Sequence, residues 1–177
     1  MKTVFVLGIH GVGKNYLCDS VVNTLEIPHY GSSELIRQYN KSLVSSDKAV
    51  SEVSRNQDVL VNQYHELPDA PLILMDGHCC LLKDGIIIER VPMSTFEQLD
   101  ICGIVLVTAP VNIIIERMQK RDGIIHDEVI LSQMMISERN YSKEISEHLN
   151  VPLLEVQSTE DGIQRVIRLI KEIQRDM

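Results

Sequence analysis

Short apolar runs alternate along the chain with longer segments in which apolar residues recur every three or four positions. The runs are rich in β-branched residues and are bounded by turn residues, which predicts buried strands. The predicted strands cover 2–7, 27–30, 71–76, 101–107 and 151–156. The periodic segments predict helices. These cover 13–28, 52–67, 110–120, 127–149 and 159–175. One further helix is predicted to begin at 33 and to end before a polar, serine-rich loop at 42–51.

Strands that alternate with helices predict an α/β fold, because each crossover returns the chain to a parallel strand. We therefore predict a three-layer arrangement over 1–177: one central parallel five-stranded sheet with helices on both faces. A small hairpin is predicted around Lys83-Asp84-Gly85. In such sheets ligands bind at the carboxyl ends of the strands, which here fall at Gly8, Asp76 and Thr108.

The first predicted strand runs directly into a glycine-rich loop, Gly8–Lys14, which fits G-x-x-x-x-G-K. Glycines let the backbone curl so that its N–H groups face phosphate oxygens, and the following lysine reaches the β- and γ-phosphates. An ordinary glycine turn is the alternative, but the position between a strand and a helix is the context that this motif requires. The loop predicts a P-loop NTPase fold that binds ATP. The nucleotide-contacting residues expected here are Gly8, His10, Gly11, Val12, Gly13, Lys14, Asn15 and Tyr16.

A magnesium ion is the expected companion of ATP, and two residues are candidates to hold it. The position after the lysine, where a hydroxyl residue normally ligates magnesium, is Asn15, which offers an amide oxygen instead. Asp76 ends an apolar run, where an acid would hold Mg²⁺ or its water shell. A turn-forming role before Gly77 is the alternative for Asp76. His78 is a candidate to face the same cleft, and the alternative is a core or surface histidine without a role in binding.

The composition limits the kinds of molecule that the protein is expected to bind. A net charge of −8 and the absence of tryptophan argue against nucleic acid. No apolar run approaches the roughly 20 residues of a membrane span, and the N-terminus does not resemble a signal peptide. The four cysteines form no C-x-x-C pair and are expected to be reduced thiols. We expect a soluble cytoplasmic protein acting on a small molecule, and the sequence leaves the oligomeric state open.

Four arginines are candidates to stabilise a phosphoryl group in transfer. Arg117 and Arg121 are four residues apart on one predicted helix and so project from the same face. Arg37 lies on the helix after Ser33, and Arg139 lies within the long helix over 127–149. A solvated surface position is the alternative for each arginine taken singly.

Three segments together resemble the nucleoside monophosphate kinases, most closely the archaeal type of adenylate kinase. Gly8–Lys14 resembles the family's phosphate loop, Ser33–Arg37 its monophosphate-site helix, and Ile115–Asp122 its helix and lid junction with two arginines. The strand end Met75-Asp76-Gly77-His78 is also similar to the archaeal type. The order of elements agrees over nearly the whole chain.

The resemblance implies roles for individual residues. It implies a monophosphate-site insertion at about 30–67, with acceptor contacts from Ser33, Arg37, Asp76 and His78. It implies a short lid at about 121–127, in which no zinc is expected because it lacks cysteines. The catalytic set that it implies, together with the phosphate loop, is Lys14, Arg117, Arg121, Arg139 and Asp76, with Arg117 also touching ATP.

The predicted function is ATP-dependent phosphoryl transfer to a nucleoside monophosphate, with AMP as the expected acceptor. One alternative is a P-loop kinase of a non-nucleotide metabolite, which would need a base such as Asp76 for a hydroxyl acceptor. Another is an ATP-binding regulator or sensor with little turnover, which Asn15 favours. The acceptor base is left open, because Cys79-Cys80 stands where the bacterial form of the family carries an arginine.

Overall fold

A computed structural model describes residues 1–43, 53–123 and 127–177 of the 177-residue chain. The strands in these ranges are β1 (Lys2–Leu7), β2 (His29–Gly31), β3 (Leu72–Gly77), β4 (Cys80–Lys83), β5 (Ile87–Arg90), β6 (Ile101–Thr108) and β7 (Leu153–Gln157). The helices are α1 (Lys14–Leu25), α2 (Ser32–Leu43), α3 (Val53–His65), α4 (Met93–Glu97), α5 (Val111–Asp122), α6 (Glu128–Leu149) and α7 (Glu160–Asp176).

The predicted α/β class is confirmed by the central sheet. Its five strands run in the order β2-β3-β1-β6-β7, and every neighbouring pair is parallel. The order reverses at β1, so the loop that leaves β1 lies at the crevice where such sheets bind ligands. The sheet therefore places the glycine-rich loop at its carboxyl edge.

Helices cover both faces of the sheet because side chains along a strand point alternately to opposite sides. Val4 and Val6 pack on one side with α1, α5 and α7, whereas Phe5 and Leu7 pack on the other with α2, α3 and α4. The long helix α6 contributes to both cores. The result is the predicted three-layer arrangement. Of the helices that the structure describes, none has the length and apolar character to cross a membrane.

The predicted hairpin is confirmed as β4 and β5, which pair antiparallel. Asp84 and Gly85 in its turn both have positive φ, 52° and 75°, as the two central residues of a type I′ turn do, and the Ile86 N–H donates to the Lys83 carbonyl. The short helix α4 was not predicted, since its five residues are too few to show a helical period.

Several predicted boundaries are shifted by a few residues. The last strand begins at Leu153 rather than 151, and α2 continues to Leu43, into the segment predicted as a loop. The rest of that loop, at 44–51, and the centre of the predicted lid, at 124–126, lie outside the described residues.

Candidate functional site

The glycine-rich loop connects β1 to α1 in a conformation that requires glycine. Gly11 and Gly13 have φ values of 84° and 101°, a region that L side chains rarely adopt. A Cβ on Gly13 would lie 2.2 Å from the Ser158 hydroxyl oxygen, and that hydroxyl itself donates to the Val12 carbonyl at 3.1 Å. The chain is thus drawn close to the end of β7, and α1 begins with its amide groups directed at the loop.

Lys14 is buried in this loop at 7% exposure. Its Nζ donates to the backbone carbonyls of Gly8 and, at 3.3 Å, of Ile9. Burial lowers the pKa of Lys14, and the nearby Asp76 and Glu138 carboxylates oppose that shift. The ammonium group is therefore held where phosphates bound by the loop would meet it.

A pocket of about 240 Å³ opens between the loop and α5. Arg117 donates from Nη1 to the carbonyls of Gly11 and Val12, both at 3.1 Å, so one guanidinium fixes the loop and faces the pocket. The pocket is lined by Ile9, His10, Gly11, Gly13, Lys14, Asn15, Arg117, Met118 and Arg121. The structure therefore brings together most of the residues that the sequence predicted for ATP.

The loop is also held by Glu138 of α6, which the sequence analysis did not identify. Glu138 is 1% exposed, and its carboxylate accepts the backbone N–H groups of Gly8 and Cys79 at 3.1 Å and of Cys80 at 2.8 Å. Burial raises its pKa, and the hydrogen bonds from Cys79 and Cys80, together with the charge of Lys14, oppose that shift. One side chain thus joins the start of the phosphate loop to the segment that follows β3. An acid inside an amphipathic helix gives no sequence signal for this role.

Asp76 lies at the end of β3 as predicted, and it is partly buried. Its Oδ1 is 2.9 Å from Nε2 of His29 on β2. Asn15 is exposed at the start of α1, beside Lys14. An amide oxygen and a carboxylate are the hard donors that Mg²⁺ prefers, so the residues present fit a magnesium ion held through its waters.

A second cavity, of about 450 Å³, lies on the opposite face of β1, between α2 and α3. We call it the acceptor cavity. Its walls are mostly apolar, with polar groups at a few points. It is lined by Phe5, Ser32, Ser33, Ile36, Arg37, Asn40, Lys41, Asn56, Gln57, Leu60, Gly77, His78, Leu81, Val91, Thr95 and Phe96.

Among the polar residues of the acceptor cavity that were not predicted from the sequence, two are buried on α2 and α3. Ser32 is 8% exposed, and its Oγ is buried with no hydrogen-bond partner among the described residues. Gln57, on α3, is 7% exposed. A buried hydroxyl without a partner is unfavourable unless a ligand completes it. The sequence predicted a role for Ser33, which also lines the cavity, but not for the adjacent Ser32.

The two cavities meet at a pair of histidines. The rings of His10, in the phosphate loop, and His78, after β3, lie 4.3 Å apart between centroids. Desolvation lowers the pKa of both rings, and the charge of Lys14 lowers both further. Both shifts favour the neutral form of the imidazole.

The remaining predicted residues lie in different surroundings. Arg37 lines the acceptor cavity and also pairs with Glu34 at 3.0 Å. Arg139 forms an ion pair with Glu155 on β7, which holds its guanidinium there and not in either cavity. Tyr16 is 59% exposed on α1. The predicted phosphoryl contact of Arg139 would require this ion pair to open.

The parallel sheet order, the loop after β1 and the buried lysine define a P-loop NTPase fold of the kinase type. Within that class, the chain belongs to the family AAA_17, described as an AAA domain, whose model matches residues 7–130. No curated protein matches the chain.

Solved structures with similar folds cover almost the whole chain. A shikimate kinase from Acinetobacter baumannii, in complex with shikimate, has a TM-score of 0.59 at 15% identity and covers 96% of this chain and 93% of its own. A gluconokinase from Sinorhizobium meliloti has a TM-score of 0.57 at 14% identity, with 96% and 95% covered. A sugar kinase from Janibacter sp. has a TM-score of 0.58 at 14% identity, with 97% and 95% covered. At these identities the likeness establishes the fold.

Proposed function

We propose that the chain is an ATP-dependent phosphotransferase that transfers the γ-phosphoryl group to a nucleoside monophosphate, as an adenylate kinase does. The observation that carries the proposal is the acceptor cavity, an apolar chamber that meets the phosphate-loop pocket at His10 and His78. Its volume of about 450 Å³ lies within the range of small-ligand sites.

The chemistry of the cavity walls favours a flat aromatic base as part of the acceptor. Phe5, Leu60 and Phe96 offer apolar surface, which suits a purine or pyrimidine ring better than a polyhydroxylated sugar acid. The buried amide of Gln57 provides a donor and an acceptor for the edge of such a base. Arg37 and Lys41 supply the positive charge that a monophosphate needs.

On the donor side, Lys14, Arg117 and Arg121 would contact the phosphates of ATP. Asn15 and Asp76 would hold magnesium, which when bound neutralises charge on the phosphates. A monophosphate oxygen is already a competent nucleophile, so the residues need only position the two substrates and exclude water. No catalytic base is required for this acceptor.

A second candidate function is a kinase of a small hydroxylated metabolite, and one observation favours it. His78 lies at the junction of the two cavities, and desolvation, which lowers its pKa, favours the neutral imidazole that would accept the proton of a hydroxyl nucleophile. The solved structures of similar fold include kinases named for shikimate and gluconate. This acceptor would depend on His78, whereas a monophosphate would not.

The deciding experiment supplies Mg-ATP with each nucleoside monophosphate in turn, and separately with hydroxylated acids, and measures ADP and phosphorylated product. We expect transfer to one monophosphate. Arg37→Ala should raise the KM for that acceptor about tenfold or more and leave the KM for ATP unchanged. Arg168→Ala, which removes an exposed arginine of α7, is the matched control.

Other outcomes assign the alternatives. Transfer to a hydroxylated acid, lost in His78→Asn, would replace the monophosphate with a metabolite. Binding of ATP without transfer to any acceptor would favour the regulator or sensor. In that case Asn15→Thr, which restores a hydroxyl ligand for magnesium, would show whether Asn15 is what prevents turnover.

A further inference from the structure

Three potential metal ligands of different chemistry converge beneath the phosphate loop. Cys18 of α1, His29 of β2 and Asp76 of β3 each present one ligand atom, and these atoms all lie within 4.8 Å of one another. Cys18 is fully buried, and the other two residues are partly buried. We call this group the Cys-His-Asp cluster.

The fold brings the cluster together from three separate elements. Cys18 follows Lys14 by one helical turn, so it lies on the face of α1 that packs against the sheet. His29 pairs with Leu74 in the parallel register, and Asp76 is two residues further along β3 on the same side as Leu74. Their side chains meet at the carboxyl edge of the sheet, where Nε2 of His29 is 2.9 Å from Oδ1 of Asp76.

From this geometry we propose that the Cys-His-Asp cluster binds a divalent transition-metal ion, with zinc as the best fit. One sulfur, one imidazole nitrogen and one carboxylate oxygen are ligand types that Zn²⁺ accepts together in tetrahedral sites, with water in the fourth position. Magnesium does not compete well for a set that includes sulfur and nitrogen, because it prefers oxygen.

A second group of metal-ligand residues in the described structure is less suited to an ion. It consists of Cys79, Cys80 and Glu138 and is fully buried. Its carboxylate oxygens already accept three backbone N–H groups, from Gly8, Cys79 and Cys80, so an ion would have to displace the bonds that hold the phosphate loop. In the Cys-His-Asp cluster, an ion would replace the hydrogen bond between His29 and Asp76 and would release the thiol proton of Cys18 to solvent.

An effect of the bound ion on phosphoryl transfer rests on the proposed function. An ion bound to Asp76 would withdraw this carboxylate from magnesium, so zinc would lower the rate of phosphoryl transfer. Binding itself does not depend on any transfer activity, and it is therefore the property to test.

The test titrates the full chain, reduced and then freed of reductant, with Co²⁺ in the absence of nucleotide and magnesium. A cysteine ligand gives Co²⁺ an intense near-ultraviolet charge-transfer absorption, which reports thiolate coordination directly. We expect this absorption to saturate at one equivalent and to disappear when Zn²⁺ is added, since Zn²⁺ binds such sites more tightly than Co²⁺.

Substitutions assign the ligands. Cys18→Ser should abolish the charge-transfer absorption, and His29→Gln should weaken Co²⁺ binding by at least about tenfold. The matched control is Cys102→Ser, which changes a thiol near the start of β6, at the amino ends of the strands. This variant should keep the absorption. Circular dichroism of each variant verifies that it is folded.

Two results would overturn the proposal. The first is the absence of thiolate absorption in the unsubstituted protein at saturating Co²⁺. The second is persistence of the thiolate absorption in folded Cys18→Ser. Loss of that absorption in Cys80→Ser would then locate the ion at Cys79, Cys80 and Glu138. Neither result depends on whether the chain transfers phosphate, so this proposal and the proposed function fail separately.

Discussion

The phosphate-loop pocket and the acceptor cavity lie on opposite sides of the His10–His78 junction, and they are built differently. The loop pocket lies between the glycine-rich loop and α5, and carbonyl and N–H groups of that loop are fixed by Arg117, Ser158 and Glu138. The acceptor cavity is formed mainly by side chains of α2, α3 and α4 against the sheet. A loop whose glycines and backbone bonds fix its shape has few ways to vary, whereas a cavity lined by side chains can change its ligand through a few substitutions. Under the proposed function, the first cavity would therefore bind the common donor ATP and the second would set the specificity for the acceptor.

The largest expected effect is on the loop side. Lys14→Ala should lower kcat/KM for phosphoryl transfer by about 10³-fold, because it removes a fixed charge from the site where negative charge moves. It should also abolish thermal protection by ATP. Lys171→Ala, at an exposed lysine of α7, is the control. Retention of activity within tenfold in Lys14→Ala would mean that the loop is not the donor site.

The next largest effect is expected at Glu138, which links the phosphate loop to the segment after β3. Glu138→Ala leaves three buried N–H groups without their acceptor, and we expect it to lower the free energy of unfolding by about 3 kcal/mol, measured by urea denaturation. Glu138→Gln keeps an acceptor oxygen and should cost less. The control on the same helix is Glu144→Ala, which breaks an exposed ion pair with Arg90 and should cost under about 1 kcal/mol. Equal costs for the two alanine variants would contradict the role given to Glu138.

A smaller and more selective effect is expected on the acceptor side. Gln57→Leu should lower kcat/KM for the preferred monophosphate by roughly 10- to 100-fold, because a buried hydrogen bond to the base is lost. The KM for ATP should not change. Gln164→Leu, at an exposed glutamine of α7, controls for the substitution itself. An equal loss for every monophosphate would mean that Gln57 supports the cavity without reading the base.

The smallest effect is a pH dependence at the junction. The folded-state pKa of His78 lies well below its ordinary value of 6.5, so the unfolded chain binds a proton more readily than the folded one as pH falls below 6.5. Folding stability should therefore decline between pH 6.5 and the lowered pKa, and His10 contributes in the same direction. His78→Asn should flatten part of this decline in urea denaturation at pH 5 to 7.5. His148→Asn, at an exposed histidine, should leave it in place.

The loop side of the site was largely predictable from sequence. The signals there are local: two glycines, a lysine and the position between a strand and a helix. Arg117 was also found, because a cation pair at helical spacing near the end of a helix is visible without a structure. The loop residues lie together because they are within a few positions of one another in the chain, whereas Arg117 contacts Gly11 across 106 positions.

The acceptor side was predictable only in part. Ser33, Arg37 and His78 were identified and do line the acceptor cavity, but Ser32 and Gln57 were not. Their importance comes from burial, which depends on how α2 and α3 pack against the sheet. For Arg139 the sequence shows a charge on a helix, whereas its contact with Glu155 depends on where β7 lies.

By itself, the sequence determined the alternation of strands and helices, the parallel sheet and the phosphate-binding loop, because these follow from hydrophobic period, glycine placement and short-range geometry. The tertiary structure decided which side chains meet across the chain. Glu138 bonds to Gly8 over 130 positions, and Cys18, His29 and Asp76 converge from three elements. Such contacts depend on packing between distant segments, and no local pattern encodes them.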